Sequence, residues 1–534
     1  MTLPSHFHIA RFVLQTETAL SISTGSPDGV FDTALVHDAN GLPAIPGSSL
    51  AGVLRHLYWN DHGEAAMRDL FGFQDPAKDH ASGGRPSGLR VEWGCIHDQY
   101  DRPVQGLVLP DAERRLAEDP ILAPLVAWPT IRQRVRIGHR GCAADKAKFD
   151  RAVLPAGYRF SCELSLLGSE RDDPRWTRLL ALLHDPRLRL GGAVRAGLGA
   201  LRLIRLATGR FDLTDSDQAK AFRALGQDIG DLRQLQDRSA TAAADADCQA
   251  PAGWLCTQLD LDPEDLWRVG QGHSPLGDYT TAKSAPDALP LMEQALDWQP
   301  ASADTATPLA EPRVRLALLP GASVKGAIAH RTRFYLNCLT GSFADLDDDK
   351  DAKAARAEAI HGMIFGSARD NADDATDHRG QRRRRPSGRS GRLFIDDARI
   401  EVKPDQVSSL NHNAIDRFTG GVRDRLLFSE ELLGSTRIRL RLLLRIGPEP
   451  IDDPDAERRA DKQRQAAEQL RLGLKALHRA LLDLAEGRLP LGAGTGKGHG
   501  AMRASLPEDW TRALLAEPAA TAASEPNPAT KEAA

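Results

Sequence analysis

The chain has 534 residues, of which 41% are hydrophobic, 27% charged and 5% aromatic, and its formal net charge is −4. This composition excludes a wholly disordered, collagenous or coiled-coil chain and supplies apolar material for more than one core; the length suggests roughly two to four domains. No apolar run approaches the ~18 residues of a membrane span, and the start MTLPSHFHIARF lacks the order of a secretion signal. Six cysteines are scattered without a C-x-x-C pair. That argues against a cysteine zinc site or a disulfide framework and fits a reducing cytoplasm. With so little net charge, any nucleic-acid role must rest on local patches.

In chain order, Phe7–Thr16 reads as a strand. Ser49–Trp59 sets Leu50, Val53, Leu54 and Leu57 at helical spacing, with Ser48 or Ser49 as N-cap. Leu89–Cys95 and Tyr158–Leu167 are strand-like, Arg175–His184 is a short helix, and Leu198–Arg205 is a closing strand. A helical patch at Ser216–Asp231 runs into the polar stretch ATAAADADCQAPAG. Trp254–Leu261 then opens a second series, followed by a helix at Ser323–Leu336 and a strand at Arg392–Val402. Next, Ile438, Leu440, Leu442, Leu444 and Ile446 alternate with Arg437, Arg439, Arg441 and Arg445, the period of a strand. Leu470, Leu474, Leu477, Leu481 and Leu484 form one helical stripe, and His499–Leu506 closes. The tail after Leu514 lacks large apolar residues and is expected to be disordered.

The two series are copies. PGSSLAGVLRHLYWN from Pro46 matches PGASVKGAIAHRTRF from Pro320. LFG followed by SGLRVE matches IFG followed by SGRLFID, and LGGAVRAGLGALR from Leu190 matches LGAGTGKGHGAMR from Leu491. The expected organisation is a first domain at 1–207, a linker with a short helix at 208–249, a second domain at 250–507 and a tail at 508–534. Each copy runs β-α-β-β-α-β with loop insertions. This is an α+β, ferredoxin-like (RRM-like) fold with both helices on one face of an antiparallel sheet. Arg437, Arg439 and Arg441 are expected on its open face or in solvent.

The glycine loops follow a helix and precede a strand, the reverse of a P-loop, and Lys497 is followed by Gly498 rather than Ser or Thr. A tight turn needs two or three glycines. The surplus, including Gly197, Gly199, Gly498 and Gly500, would let a backbone approach a ligand, with Arg195, Lys497, Arg202 and Arg503 as phosphate partners. The Pro-Gly-Ser/Ala-Ser segments sit at helix starts. There Ser48, Ser49 and Ser323 can cap, and Arg55, Lys325 and Arg331 follow on the helix; a capped helix with a basic face and an anion site both fit. The run QRRRRPSGRSGR at Arg382–Arg392 is either a solvated loop or a phosphate contact. The acidic run Asp345–Asp349 lacks the glycine and terminal glutamate of a calcium loop.

Together IPGSSLAGVLR, the FG…SG strand, IDRFTGG with LFSEEL, and the two glycine loops resemble the RAMP superfamily (repeat-associated mysterious proteins). Within it, the chain looks most like backbone subunits of type III CRISPR interference complexes, fused as in the double subunit of III-D-like systems. The resemblance implies tandem ferredoxin-like domains that hold a guide RNA through glycine loops and the P-G-S-S helix. It also implies a hairpin thumb, placed here at Asp101–Pro129, that separates guide–target bases.

The same resemblance implies a target-RNA nuclease aspartate between the first strand and P-G-S-S. Asp32 in G-V-F-D fits that position, with Asp28 and Asp38 as neighbours. The attacking group is the RNA's own 2′-OH, and the products are a 2′,3′-cyclic phosphate and a 5′-OH. An aspartate at its reference pKa of ~3.9 is a weak base at pH 7 but can anchor Mg²⁺ or another divalent cation, so Asp32 is also the expected metal ligand. In the second copy the corresponding loop is longer. Asp278 in L-G-D is the expected counterpart, with Asp287 or none as alternatives. His37, His56, His139 and His330 show no metal spacing. The implied partners are guide RNA, target RNA and other type III effector subunits in the cytoplasm, with no membrane. Two readings stand beside cleavage: a non-catalytic guide-RNA scaffold, and an endonuclease that trims guide precursors.

Overall fold

The computed structural model describes residues 4–25, 33–74, 83–109, 114, 116–127, 129–138, 141–239, 250–270, 272–279, 285–300, 307–343, 350–367, 388–449, 451 and 455–516. In the first half the main elements are β1 (His6–Thr16), α1 (Gly47–Phe71), β2 (Leu89–Val91), β3 (Cys95–Ile96), β4 (Thr130–Ile137) and β5 (Ala143–Val153). They continue with β6 (Arg159–Gly168), α2 (Pro174–Ala181), β7 (Leu201–Asp212), α3 (Ser216–Arg223) and β8 (Gln236–Asp237). The second half has β9 (Trp254–Pro263), β10 (Met292–Trp298), β11 (Ala310–Leu319), α4 (Gly321–Thr340), α5 (Lys350–Phe365), β12 (Leu393–Ile395) and β13 (Ala398–Glu401). It ends with β14 (Val407–Ile415), β15 (Val422–Leu433), β16 (Ile438–Arg445), α6 (Ala456–Ala485), β17 (Met502–Arg503) and α7 (Glu508–Leu515).

The first sheet runs β8-β7-β1-β6-β2 and the second β17-β9-β16-β12, every neighbour antiparallel. Counting core strands as first to fourth, both have the ferredoxin-like order 4-1-3-2, as the repeat implies. Alternation on β16 explains why one face is covered. Ile438, Leu440, Leu442 and Leu444 are fully buried against the Leu470–Leu484 stripe of α6 and against Val324 and Ile328 of α4, while Arg437 and Arg439 reach solvent and pair with Asp260. Each such leucine contributes about 1.5–3 kcal/mol of burial.

Four sequence expectations change. The stretch 208–239 is part of the first half rather than a linker: β8 adds an edge strand, and the carbonyls of Gly226, Asp228 and Asp231 accept hydrogen bonds from the buried Arg11 guanidinium across the sheet's outer face. Residues 508–516 are ordered, because Trp510 and Leu514 lie one helical turn apart on α7 and are both buried in the second core. The span expected as one strand, Arg392–Val402, breaks at Asp396–Asp397; β12 stays in the ferredoxin sheet and β13 joins β10 and β11, which come from the long loop before Pro320. Finally, the long hairpin of the first half is β4–β5 at Thr130–Val153, not Asp101–Pro129; its counterpart is β14–β15. Cys95, Cys142, Cys162 and Cys338 are free thiols, and Cys256 is disulfide-bonded. The basic residues 382–387, the acidic run 345–349 and Asp28 lie outside the described residues.

Candidate nucleic-acid interface

The first glycine loop is buried against the second half. Gly197 pairs with Asp396, and the Asp397 N–H donates to the Gly197 carbonyl at 3.2 Å. Gly197 has φ +109, and a Cβ there would collide with the Asp397 carboxylate; a Cβ on Gly321 would meet the Ile395 carbonyl and lie 2.9 Å from Gly197 Cα. Three backbones thus converge where no side chain fits. The Gly321 N–H at the start of α4 donates to Asp397 Oδ1 at 2.8 Å. Arg132 of β4 reaches across and pairs with Glu293 and, at 3.2 Å, with Asp397. All three of these charges are buried. Burial pushes the Asp397 carboxyl up to about 6, against the pull of Arg132. Arg189 grips Asp396 with both guanidinium nitrogens.

Cations gather beside this junction. Arg195 lies over the Phe394 ring at 4.8 Å and donates to the Gly391 carbonyl at 2.6 Å. Lys325 Nζ donates to the Leu393 carbonyl at 3.2 Å; burial and then Arg195 pull its pKa down to about 8. Burial and Arg445 depress Arg195 in turn, and His56 on α1 is lowered by burial and by Arg195, Arg445 and Arg187. Burial takes Arg392 down to about 10. Carboxylates neutralise Arg187 (Asp61, Asp185) and Arg392 (Glu449). Among the described residues Arg195, Lys325 and Arg445 form no ion pair. Mutually repelling, half-desolvated cations gain most from an anion between them.

Several predicted residues meet here: Arg195, Gly197 and Lys325 from opposite halves, with Ser323 exposed on the first turn of α4. Gly199 is buried beside them, its N–H donating to the Ala19 carbonyl at 2.8 Å. Ser48, Ser49 and Arg55 lie on the first turns of α1, where neither serine caps; Arg55 Nε donates to Met67 Sδ. Arg331 turns away to the Arg488 carbonyl and Asp483. Lys497 and Gly498 belong to the second glycine loop, which is solvent-exposed; Lys497 sits 3.5 Å from Glu430 and over the Phe428 ring. Gly500 is buried, its N–H on the Leu266 carbonyl. Glu17 and Glu264 neutralise Arg202 and Arg503. Sequence reasoning missed Arg445 and the Asp396–Asp397 pair. Arg445 looked like one more outward residue of an alternating strand, and only the docking of the halves brings it to the junction.

Backbone register also aligns the long loop of the second half with its counterpart in the first. The Ala152 N–H donates to the Thr33 carbonyl and the Glu431 N–H to the Ala288 carbonyl, at equivalent places on the two hairpins. One turn on, Thr24 pairs with Ala34 as Gly272 does with Leu289. Thr33 therefore matches Ala288, and Asp287, not Asp278, matches Asp32. Asp32 lies outside the described residues. Asp287 is exposed, its Oδ2 accepting from the Ser429 N–H at 2.8 Å and Oγ at 3.2 Å; Asp278 is also exposed, earlier in the loop. Among the described residues no three His, Cys, Asp or Glu gather as a metal cluster. No described helix is long and apolar enough to cross a membrane.

Fold and site together define a tandem ferredoxin-like protein with a cation-rich junction between its modules. The chain belongs to the RAMP superfamily, which it matches over residues 13–202 and 307–503, covering both copies. Among chains of known structure it is similar to one from a cryo-EM structure of the type III-B Cmr-beta bound to cognate target RNA, with 13% identity and a TM-score of 0.26. That likeness covers 38% of this chain and 60% of the other. No curated protein matches.

Proposed function

We propose that the chain is a guide-RNA-binding backbone subunit of a type III, III-D-like CRISPR complex, and that it cuts complementary target RNA. The observation that carries this reading is the trio Arg195, Lys325 and Arg445, cations without carboxylate partners among the described residues, where a glycine loop meets a helix start. A phosphate backbone supplies the missing negative charge without regard to sequence, while base pairing with the guide reads the target. Hairpin β14–β15 suits the thumb role. It projects exposed Ile415, Phe418, Val422 and Leu427, with Arg417 over the Phe418 ring at 4.9 Å, groups on which bases stack.

Asp32 and Asp287 are the residues assigned to cleavage, and Asp287 stands at the root of hairpin β14–β15. Their carboxylates are hard oxygen donors of the kind Mg²⁺ takes one or two of beside substrate phosphates, so the donor chemistry fits. When bound, the ion supplies charge neutralisation at the scissile phosphate. The chain's own task is positioning: Ser429 holds the Asp287 carboxylate at the hairpin base, and the hairpin would splay the paired strands so that a 2′-OH can line up with its phosphorus. The test is the assembled guide complex with complementary RNA and Mg²⁺. Asp32→Asn and Asp287→Asn should each remove one cut, and Asp278→Asn none. If the double variant Asp32→Asn/Asp287→Asn keeps every cut while still binding RNA, the chain is a scaffold and the nuclease assignment falls.

A further inference from the structure

The outer face of the first sheet is roofed, whereas that of the second lies open at Arg437 and Arg439. Part of the roof is the segment 226–231. Arg11 holds it from below by three carbonyls, and the Gln105 side chain holds it from the side, donating to the Gln227 carbonyl and accepting from the Ile229 N–H. Between roof and sheet lies a cavity of about 970 Å³. Its lining includes Val13 of β1 and Ser161 of β6, which are cross-strand partners.

Three side chains in its wall are hydrogen-bonded in series. Ser161 Oγ lies 2.8 Å from His97 Nε2, and His97 Nδ1 lies 2.7 Å from Asp101 Oδ1. Local structure sets this up. β3 pairs with β6 so that Cys95 faces Ser161, and the His97 N–H extends the ladder to the Arg159 carbonyl at 3.0 Å. His97 therefore stands on the outer face next to Ser161. The chain then turns tightly, Asp98 Oδ1 accepting from the Tyr100 and Arg102 N–H groups, and Asp101 is held at φ +61, a conformation that glycine adopts far more readily. The turn thus keeps a carboxylate where glycine would be easier. Arg159 anchors its other oxygen at 2.9 Å. Against burial, His97 and Arg159 hold the Asp101 carboxyl below the usual carboxylate range. An ionised Asp101 can only accept, so the neutral imidazole carries its hydrogen on Nδ1 and leaves Nε2 to accept from Ser161 Oγ. Val13 pairs with Ser161 on one side and with Arg205 on the other, which sets these three in a row across the sheet. The Arg205 guanidinium lines the cavity, half-exposed and 3.7 Å from Asp101 Oδ2.

We propose that Ser161 is the nucleophile of a hydrolytic centre for small carboxylic esters, with His97 as its base, Asp101 as the positioning residue and Arg205 as the cation for the developing oxyanion. Ser161 Oγ bonds to the acyl carbon while its proton passes to His97 Nε2; the C–O bond to the alcohol breaks, and the departing oxygen takes that proton. Water then attacks the acyl carbon, giving a proton to His97, and the acid leaves as Ser161 Oγ recovers its own. This centre lies in the first half alone and does not rest on the RNA reading, and its test omits RNA and metal so that the two fail separately. The full chain is treated with a fluorophosphonate, then assayed with p-nitrophenyl acetate. The reagent should form an Oγ–P bond at Ser161 as its P–F bond breaks and HF leaves, and peptide mapping should place the adduct there. Ester turnover should exceed that of Ser161→Ala by at least about 100-fold. Asp101→Asn should lower turnover and move the acid limb of its pH profile down, because removing the carboxylate makes the imidazole less basic; a carboxylate that only braces the turn leaves the limb in place. The labelling needs no variant, so it decides the matter even where Asp101→Asn fails to fold. A parent chain that takes no adduct, an adduct elsewhere than Ser161, or a Ser161→Ala chain that hydrolyses like the parent overturns the proposal. A folded Asp101→Asn chain with an unmoved acid limb removes Asp101 from its role.

Discussion

Replacing Lys325 by Met should stabilise the free protein and weaken its hold on RNA. Lys325 is largely buried on α4, with one hydrogen bond to the Leu393 carbonyl and, among the described residues, no counter-ion. Burial, and then Arg195, bring its pKa from 10.5 to about 8. At ~1.4 kcal/mol per unit, keeping the charge in the folded state costs roughly 3 kcal/mol. The folded protein binds this proton less tightly than the unfolded chain. The penalty is therefore complete below pH 8 and is released as pH rises towards 10.5, so this group makes stability increase across that window. Lys325→Met removes the penalty and forfeits a hydrogen bond of about 1 kcal/mol, a net gain on the order of 2 kcal/mol at pH 7. The same change removes one phosphate contact, so the slope of log affinity against log salt for single-stranded RNA should shrink by about 0.7. Urea unfolding at pH 7 and pH 10, with filter binding between roughly 50 and 200 mM salt, reads both effects. A variant that is less stable at pH 7, or that keeps the full salt slope, refutes the reasoning.

Arg132→Met strands Glu293 and Asp397 as buried carboxylates and should cost about 3–5 kcal/mol in denaturant unfolding; a loss under about 1 kcal/mol would show that the joint does not depend on this cation. Because burial raises the Asp397 carboxyl to about 6, its contribution to stability is present below the unfolded pKa of 3.8 and is lost as pH rises to about 6. Asp397→Asn should flatten the unfolding midpoint over that range, and an unchanged pH profile contradicts it. Phe418→Ala, at a position 84% exposed, should weaken RNA binding by about 1–3 kcal/mol while leaving the melting temperature unmoved.

The ferredoxin-like order was legible because β16 alternates with period two, α6 carries one apolar stripe, and the motifs recur in order. These signals are local, and burial obeys them. Less legible was whatever depends on contacts distant in sequence. Nothing in QDIGDLR marks carbonyls that will coordinate Arg11, and Trp510 with Leu514 is too short a pattern to stand out before an Ala/Pro tail. At the site, the glycine loops and the P-G-A-S helix were visible as separate motifs. That one loop lies against the other copy's helix, and that Ala288, next to Asp287, matches Thr33, next to Asp32, follows from backbone register across the repeat.

The Arg132 clasp sits between modules that share one covalent chain. Closing that contact is intramolecular, so dilution cannot undo it, and the local concentration of the two surfaces is millimolar whatever the bulk value. A desolvated ionic clasp also resists salt far better than an exposed one. On the proposed reading, the two modules would therefore meet a guide strand as one pair rather than as two independent units.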